Sequence, residues 1–487
     1  MTVLASYLPL VPLLAGIATG LFGWRRSTAL AAVVGSAGVT TGGVILGTIV
    51  VDRGAVIAAG GLVRVDALSA YLILIIGVAS LISSAYAVGY IDTELRLGHT
   101  TPQGARLYGL LVQIFIACML IAVSTDNIGV MWVAVEATTI ATAFLVGHRR
   151  TRAAVEASWK YVVIASVGVS IAFLGIVLLY FASRHASVGA ATLRWSQLLA
   201  MAGKLDPAVT RLAAGAVIIG FGTKAGLAPF HTWLPDAHSQ APAPVSALMS
   251  GVLLSVSFYV LARHKVVIDA VLGPAYMRNM LIAVGLLSLG VAASLLIAQR
   301  DYKRLLAYSS IEHMGLVAFG TAIGSPLAVA GALYHMLGHA IAKSVAFCAS
   351  GEILFDSGTT RIADVRGLLK RRPALGTVFG LALLALLGIP PFSLFASEVA
   401  ILRAAGAAHL ELVMVLAAAL LLVAFVSILQ HGRQMLLGEP TGGHTDRRTP
   451  AIALTTLAIA LGASAVLGVT LGPLDRLLTA ASRVVAP

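Results

Sequence analysis

Apolar runs long enough to cross a bilayer recur along almost the whole chain, each closed by a short polar or charged turn. A spanning helix needs about 20 such residues, and the runs predict roughly fourteen spans. The first reaches about Trp24 and the second begins near Thr28, with Arg25 and Arg26 between them. The third follows Asp66 and ends near Tyr90, and the fourth starts around Arg106. The fifth runs from Asn127 to about Gly147 with Glu136 near its middle, and the basic turn after it leads to the sixth near Trp159. The polar connection from Arg184 to Asp206 is expected at the surface. A seventh span starts near Thr210, an eighth near Val245, a ninth covers Met280 to Ala298, and a tenth follows Lys303. The eleventh runs from Pro326 to about Ser350, the twelfth follows Pro373, and the last two flank the polar segment Gly432 to Pro450. The expected fold class is an all-α polytopic membrane protein.

Two runs are interrupted. The seventh contains Lys224 and then Gly226, Pro229, Pro235, Pro242 and Pro244; the twelfth is cut at Gly388-Ile389-Pro390-Pro391. Proline removes a backbone donor and clashes with the preceding turn, so neither segment is one straight helix. Irregular backbone survives at membrane depth only where protein or a water-filled cavity satisfies its polar groups. The breaks read GLAPF (Gly226 to Phe230) and GIPPF (Gly388 to Phe392), five spans apart, and each has an ionisable residue beside it, Lys224 and Glu398. Gly/Pro-broken segments in matching positions point to a transporter built from repeats.

Composition agrees with the pattern: 59% of the residues are hydrophobic and 11% charged, far from the balance of a soluble domain. The loops are too short for a soluble catalytic domain. Cys118 and Cys348 both lie in apolar runs without CxxC spacing, which excludes an iron–sulfur cluster built by this chain alone. The net charge of +13 follows the positive-inside rule rather than a nucleic-acid surface, because no basic run is interleaved with aromatics. Arg149, Arg150, Arg152, Lys303, Arg304, Lys370, Arg371, Arg372, Arg447 and Arg448 fall on one side. That asymmetry places both termini outside the cytoplasm. The first run has no basic leader or cleavage pattern and reads as a retained helix.

The charged residues inside the spans carry the candidate chemistry, since each costs about 2.5–3.5 kcal/mol at mid-membrane unless paired or hydrated. Glu136 and Lys224 are opposite in sign and at comparable depth, so they are expected to pair. The competing reading is a static pair that fixes helix register. His335, His339 and Lys343 recur at i, i+4 and i+8, a line about 12 Å long on one helix face. Imidazoles in such a line relay protons through water; they also serve as plain interhelical hydrogen bonders. Haem is disfavoured because its axial ligands must face each other across the ring. His313, with Glu312 beside it, extends the line, and Glu398 is positioned to end it. His231, Asp236 and His238 match no standard zinc spacing and are expected to fix the loop by hydrogen bonds.

These stretches resemble a known family. KAGLAPFHTWLPDAHSQAPAPVSALMSG (Lys224 to Gly251) is similar to the signature of the antiporter-like subunits of respiratory complex I, Mrp-type Na+/H+ antiporters and group 4 nickel–iron hydrogenases. RLLAYSSIEHMG (Arg304 to Gly315), HMLGHAIAKSVAF (His335 to Phe347) and GIPPFSLFASE (Gly388 to Glu398) resemble its other motifs in family order. The resemblance implies fourteen helices with two inverted five-helix repeats and broken helices 7 and 12. The repeats would cover residues 106–265 and 276–430, after three helices in 1–105 and before the last helix in 450–487. It assigns Glu136 and Lys224 to the first half of a proton path, and His335, His339 and Lys343 to a central hydrophilic axis. Glu398 becomes the outward terminal group, and a glutamate there resembles the M-type subunit of complex I and its F-type counterpart in hydrogenase-4. Where some members carry a lysine on helix 8, this chain has Ser255.

The implied role is a non-redox, proton-translocating subunit without a cofactor of its own, in a prokaryotic plasma membrane beside the subunits that handle electrons. A Na+/H+ antiporter subunit and the membrane part of an inorganic-carbon uptake complex are the alternatives.

Overall fold

The computed structural model describes residues 1–186, 191–440 and 449–486. Arg447 and Arg448, and positions 187–190 of the connection expected at the surface, lie outside the described residues. Helices α1 (Thr2–Phe22), α2 (Arg26–Arg53), α3 (Ala67–Arg96), α4 (Pro102–Ser124), α5 (Ile128–Val146) and α6 (Arg152–Ala186) follow the first six apolar runs. The seventh run forms α7 (Pro207–Lys224), a break, and the short α8 (Trp233–Gln240). Then come α9 (Ala243–Leu272), α10 (Pro274–Ile297), α11 (Tyr302–Ile323) and α12 (Pro326–Ser357). The twelfth run is split into α13 (Pro373–Leu386) and α14 (Ser393–Ala407), followed by α15 (Glu411–Leu436), α16 (Ala451–Val469) and the amphipathic α17 (Leu474–Val485).

Ten helices among the described residues are long and apolar enough to cross a membrane. The rest of the expected spans fall where the helix is broken, as in α7–α8 and α13–α14, or carries charges and histidines along its length, as in α11 and α12. Starts are capped in the expected way: Asp66, Asn127, Asp206, Asp301 and Ser325 each accept a backbone N–H of the first turn.

Two features depart from the all-helical expectation. A ribbon of two three-residue strands, β1 (Val56–Ala58) and β2 (Val63–Val65), pairs antiparallel between α2 and α3; strands this short leave no alternation to read. The connection expected at the surface also turns inward. Its short helix Trp195–Ala200 buries Trp195 and Leu198, and the Trp195 indole donates to the Arg263 carbonyl at 2.7 Å.

Burial sorts the helices. The apolar stretch of α9 is wholly enclosed, and α11 and α12 are buried along most of their length. By contrast α5, α6 and α15 expose Val133, Ile140, Phe144, Leu174 and Leu412. Apolar side chains facing outward on the perimeter and polar ones facing inward at the centre is the arrangement a hydrocarbon solvent demands.

Candidate functional site

The first cluster forms where α7 stops. Gly226 adopts φ +78°, a left-handed conformation that glycine reaches without a steric cost, and the helix ends with Lys224 in its last turn. A cation there faces the negative end of the helix dipole. Lys224 is fully buried and donates to the Thr139 hydroxyl at 2.7 Å and the Tyr161 hydroxyl at 2.5 Å. Thr139, one turn beyond Glu136 on α5, donates to Glu136 Oε2 at 3.2 Å, and Ser166 donates to Oε1 at 2.7 Å. The expected lysine–glutamate pair is thus bridged, with a threonine hydroxyl between the charges.

The break itself is satisfied by protein groups, as irregular backbone at this depth requires. The Trp233 indole donates to the Thr223 carbonyl at 3.0 Å, and the Ala228 amide donates to the Ser288 hydroxyl at 2.9 Å. Helix α8 is pinned at its far end, where Lys303 donates to the carbonyls of Ser239 and Ala241, each at 2.9 Å. Asp236 anchors it sideways to Arg304 at 2.5 Å and Lys160 at 3.4 Å. The two ends of α8 touch two different lysines' surroundings. Trp233 packs on Tyr161 with ring centroids 4.8 Å apart, and His238 stacks on Phe347, one turn beyond Lys343, at 5.1 Å.

The second cluster lies among α9, α11, α12 and α14. Lys343 is fully buried and donates to the Leu306 carbonyl at 2.6 Å and to the Ser309 hydroxyl. The His313 ring sits between its neighbours, with centroids 5.0 Å from His335 and 4.8 Å from His339. His313 Nδ1 and His335 Nε2 share a hydrogen bond of 2.9 Å, and His335 Nδ1 meets the Ser397 hydroxyl at 2.9 Å. His339 Nε2 is 3.2 Å from the Ser250 carbonyl. That carbonyl belongs to Met249–Leu253, a π-helical turn inside α9, and wider turns of this kind occur frequently at functional sites. Glu398 closes the row, its carboxylate within 4.8 Å of donor atoms of His313 and His335. Gly388 at the α13–α14 break has φ +59°, and a Cβ there would collide with that carboxylate.

Residues 125–424 match the family described as NADH:quinone oxidoreductase/Mrp antiporter, TM. The chain belongs to this family. It is 37% identical over 391 residues to a hydrogenase-4 component F homolog of Methylacidiphilum infernorum, covering 80% of this chain and 82% of that one. It is 31% identical to NADH-quinone oxidoreductase subunit N of Desulforudis audaxviator over 79% of this chain and 75% of the relative. Among solved structures it is similar to a chain of an archaeal membrane-bound sulfane sulfur reductase, with a TM-score of 0.88, 25% identity and coverage of 99% and 97%. It also shares the fold of a chain of the Mrp complex from Dietzia, with a TM-score of 0.83, 21% identity and coverage of 99% and 97%.

All seven candidate residues fall within the matched part of this antiporter-family chain. The fold gathers Glu136 and Lys224 at one cluster and His313, His335, His339, Lys343 and Glu398 at another. Ser255 is spent on its own helix, donating to the Gly251 carbonyl at 3.4 Å. Ser250 reaches the histidines instead, and its hydroxyl also meets that of Ser310 at 2.7 Å. The hydroxyls of Thr139, Tyr161, Ser166, Ser309 and Ser397 were invisible as site residues, because serine and threonine are ordinary in membrane helices. His238 needs a correction. Its ring does not fix the loop: it is fully buried and neither nitrogen has a protein hydrogen-bond partner. Asp236 has the tethering role foreseen for that group.

Proposed function

We propose that this chain is a proton-translocating, antiporter-like membrane subunit of a redox-driven complex, of the hydrogenase or complex I type. Fourteen spans, two inverted repeats at 106–265 and 276–430, and both termini outside the cytoplasm make up the architecture we assign to it. Left-handed glycines at both helix breaks, Gly226 and Gly388, support the repeat. The row of contacts from His339 through His313 to His335, Ser397 and Glu398 carries the reading. A buried polar row of this length inside hydrocarbon is costly, and intramembrane ionisable residues mark ion pathways.

In this scheme a charge change in a neighbouring subunit acts on the partly exposed Glu136. The Thr139 hydroxyl passes the perturbation to Lys224, which gives up its proton along α8 toward Lys343. The histidines then carry it to Glu398, which releases it outward. Electrons stay in partner subunits. The test is proton pumping by the reconstituted parent complex: Lys224→Ala and Glu136→Ala should each abolish it while the complex remains assembled. Normal proton stoichiometry in either variant would reject the scheme.

The likeness to a chain of the Mrp complex favours a second reading, a Na+/H+ antiporter subunit. Sodium-dependent proton flux through vesicles containing this chain without redox subunits would support it.

A further inference from the structure

We propose that His313, His335 and Glu398 form a binding site for a divalent cation of the zinc class. The three come from three different helices, α11, α12 and α14, and offer two imidazole nitrogens and a carboxylate oxygen within 4.8 Å of one another. Two imidazoles and one carboxylate with a position left open is the donor set of His2Glu zinc sites. Imidazole suits zinc and its neighbours, whereas Mg2+ and Ca2+ call for a full shell of oxygen ligands, and two of the three donors here are nitrogen.

The distances admit the ion once the Glu398 carboxylate closes in, because donor atoms as much as 4.8 Å apart exceed the span of two ligands each about 2.0–2.2 Å from one zinc. His313 Nδ1 and His335 Nε2 stand 2.9 Å apart. Two nitrogens each about 2.0–2.1 Å from one tetrahedral zinc are roughly 3.3 Å apart. Zinc would therefore take the place of the proton the two rings share. The supporting shell is already built: the Ser397 hydroxyl holds His335 Nδ1 at 2.9 Å, which turns Nε2 toward the other ligands. Such outer partners fix ring orientation in metal sites. Glu312, next to His313, has one oxygen without a protein partner and acts electrostatically on Glu398, so two carboxylates face the incoming charge. Glu398 is the one ligand of the three that is partly exposed.

A cation bound here would also stop proton passage, a consequence that rests on the proton path proposed above. Binding and flux are therefore measured separately. The purified parent complex, stripped with chelator, is titrated with Zn2+ against a chromophoric competitor, and Co2+ absorption reports the geometry. We expect one ion per copy of this chain that His335→Gln and Glu398→Gln each eliminate, with assembly checked by size exclusion. Ser397→Ala, which leaves every ligand in place, should weaken binding about 10–100-fold, and Lys224→Ala should leave it unchanged. Zinc affinity and stoichiometry equal to wild type in both His335→Gln and Ser397→Ala would overturn the site. Binding as expected with undiminished proton flux would retain the site and refute the passage of protons through these histidines.

Discussion

Lys224 and Glu136 meet through a single hydroxyl: Thr139 accepts from the ammonium at 2.7 Å and donates to the carboxylate at 3.2 Å. Opposite charges that share a hydroxyl feel each other yet can separate without breaking a direct ion pair. The bridge sets how strongly a change at Glu136 reaches the lysine. Thr139→Val keeps the shape of the side chain and removes the bridge. A hydrogen bond to a charged group is worth about 1.5–3 kcal/mol, so proton flux should fall roughly ten- to a hundredfold. Assembly should be unaffected. Flux at the wild-type rate in Thr139→Val would mean that the two charges communicate by another route.

His238 makes a sharper separation of folding from transport. A buried polar group without a partner costs about 1–3 kcal/mol. Its ring already stacks on Phe347 at 5.1 Å, so His238→Phe preserves the aromatic contact and removes the unpaired nitrogens. Thermal stability should hold or rise. If protons cross from Lys224 toward Lys343 past α8, flux in the same variant should drop at least tenfold. A stable variant with full flux would remove His238 from the path.

How much of this was legible in the sequence follows from what is rare in a membrane helix. A charge or a Gly/Pro break inside an apolar run is uncommon enough to read singly, so the two breaks, Lys224, Lys343 and Glu398 stand out. The hydroxyls do not. Ser344 and Ser257 bond their own helices at Ala340 and Leu253, while the Ser397 hydroxyl serves His335, and nothing local tells the two kinds apart. The spans at α11 and α12 were legible but are less apolar than the rest for a related reason: the polar groups that make them interesting lower their hydrophobicity. Beyond the charged residues of the spans, contacts between distant segments were out of reach, as with Asp66 and Arg263, 197 positions apart.

That distant pair gives a prediction about stability alone. Arg263 grips Asp66 with two nitrogens, at 2.7 and 2.5 Å, donates to Tyr259 and Ser69 at 2.9 Å each, and stacks over Trp195 at 4.7 Å. Removing Arg263 leaves the buried Asp66 carboxylate only the weaker partner Arg64, 3.8 Å away, and breaking a buried pair typically costs about 3–5 kcal/mol. Arg263→Ala should lower the melting temperature sharply. The double replacement Asp66→Asn with Arg263→Met should recover much of the loss, since neither charge then remains. A double variant as unstable as the single one would show that the Trp195 contact, rather than the ion pair, holds these helices together.

The turn between α5 and α6 supplies a pH dependence. His148 packs edge-on to Tyr108 at 5.7 Å, and its Nε2 has no protein partner. Burial pushes its pKa from the ordinary 6.5 down to about 4, with Arg149 and Arg150 pushing the same way and Glu94 opposing. The folded state therefore resists protonation that the unfolded chain accepts. Above the unfolded value both states are neutral and His148 contributes nothing to the slope. As pH falls below it, the unfolded chain binds the extra proton, and stability declines by up to about 1.4 kcal/mol per unit. The decline levels off near the folded value, where the native side chain also protonates. His148→Phe keeps the contact with Tyr108 and removes the titration. Melting curves at pH 7.5 should be close for the two proteins, whereas by pH 5 wild type should have lost about 2 kcal/mol more than the variant. Parallel loss of stability in both would mean that acid destabilises the protein through other groups.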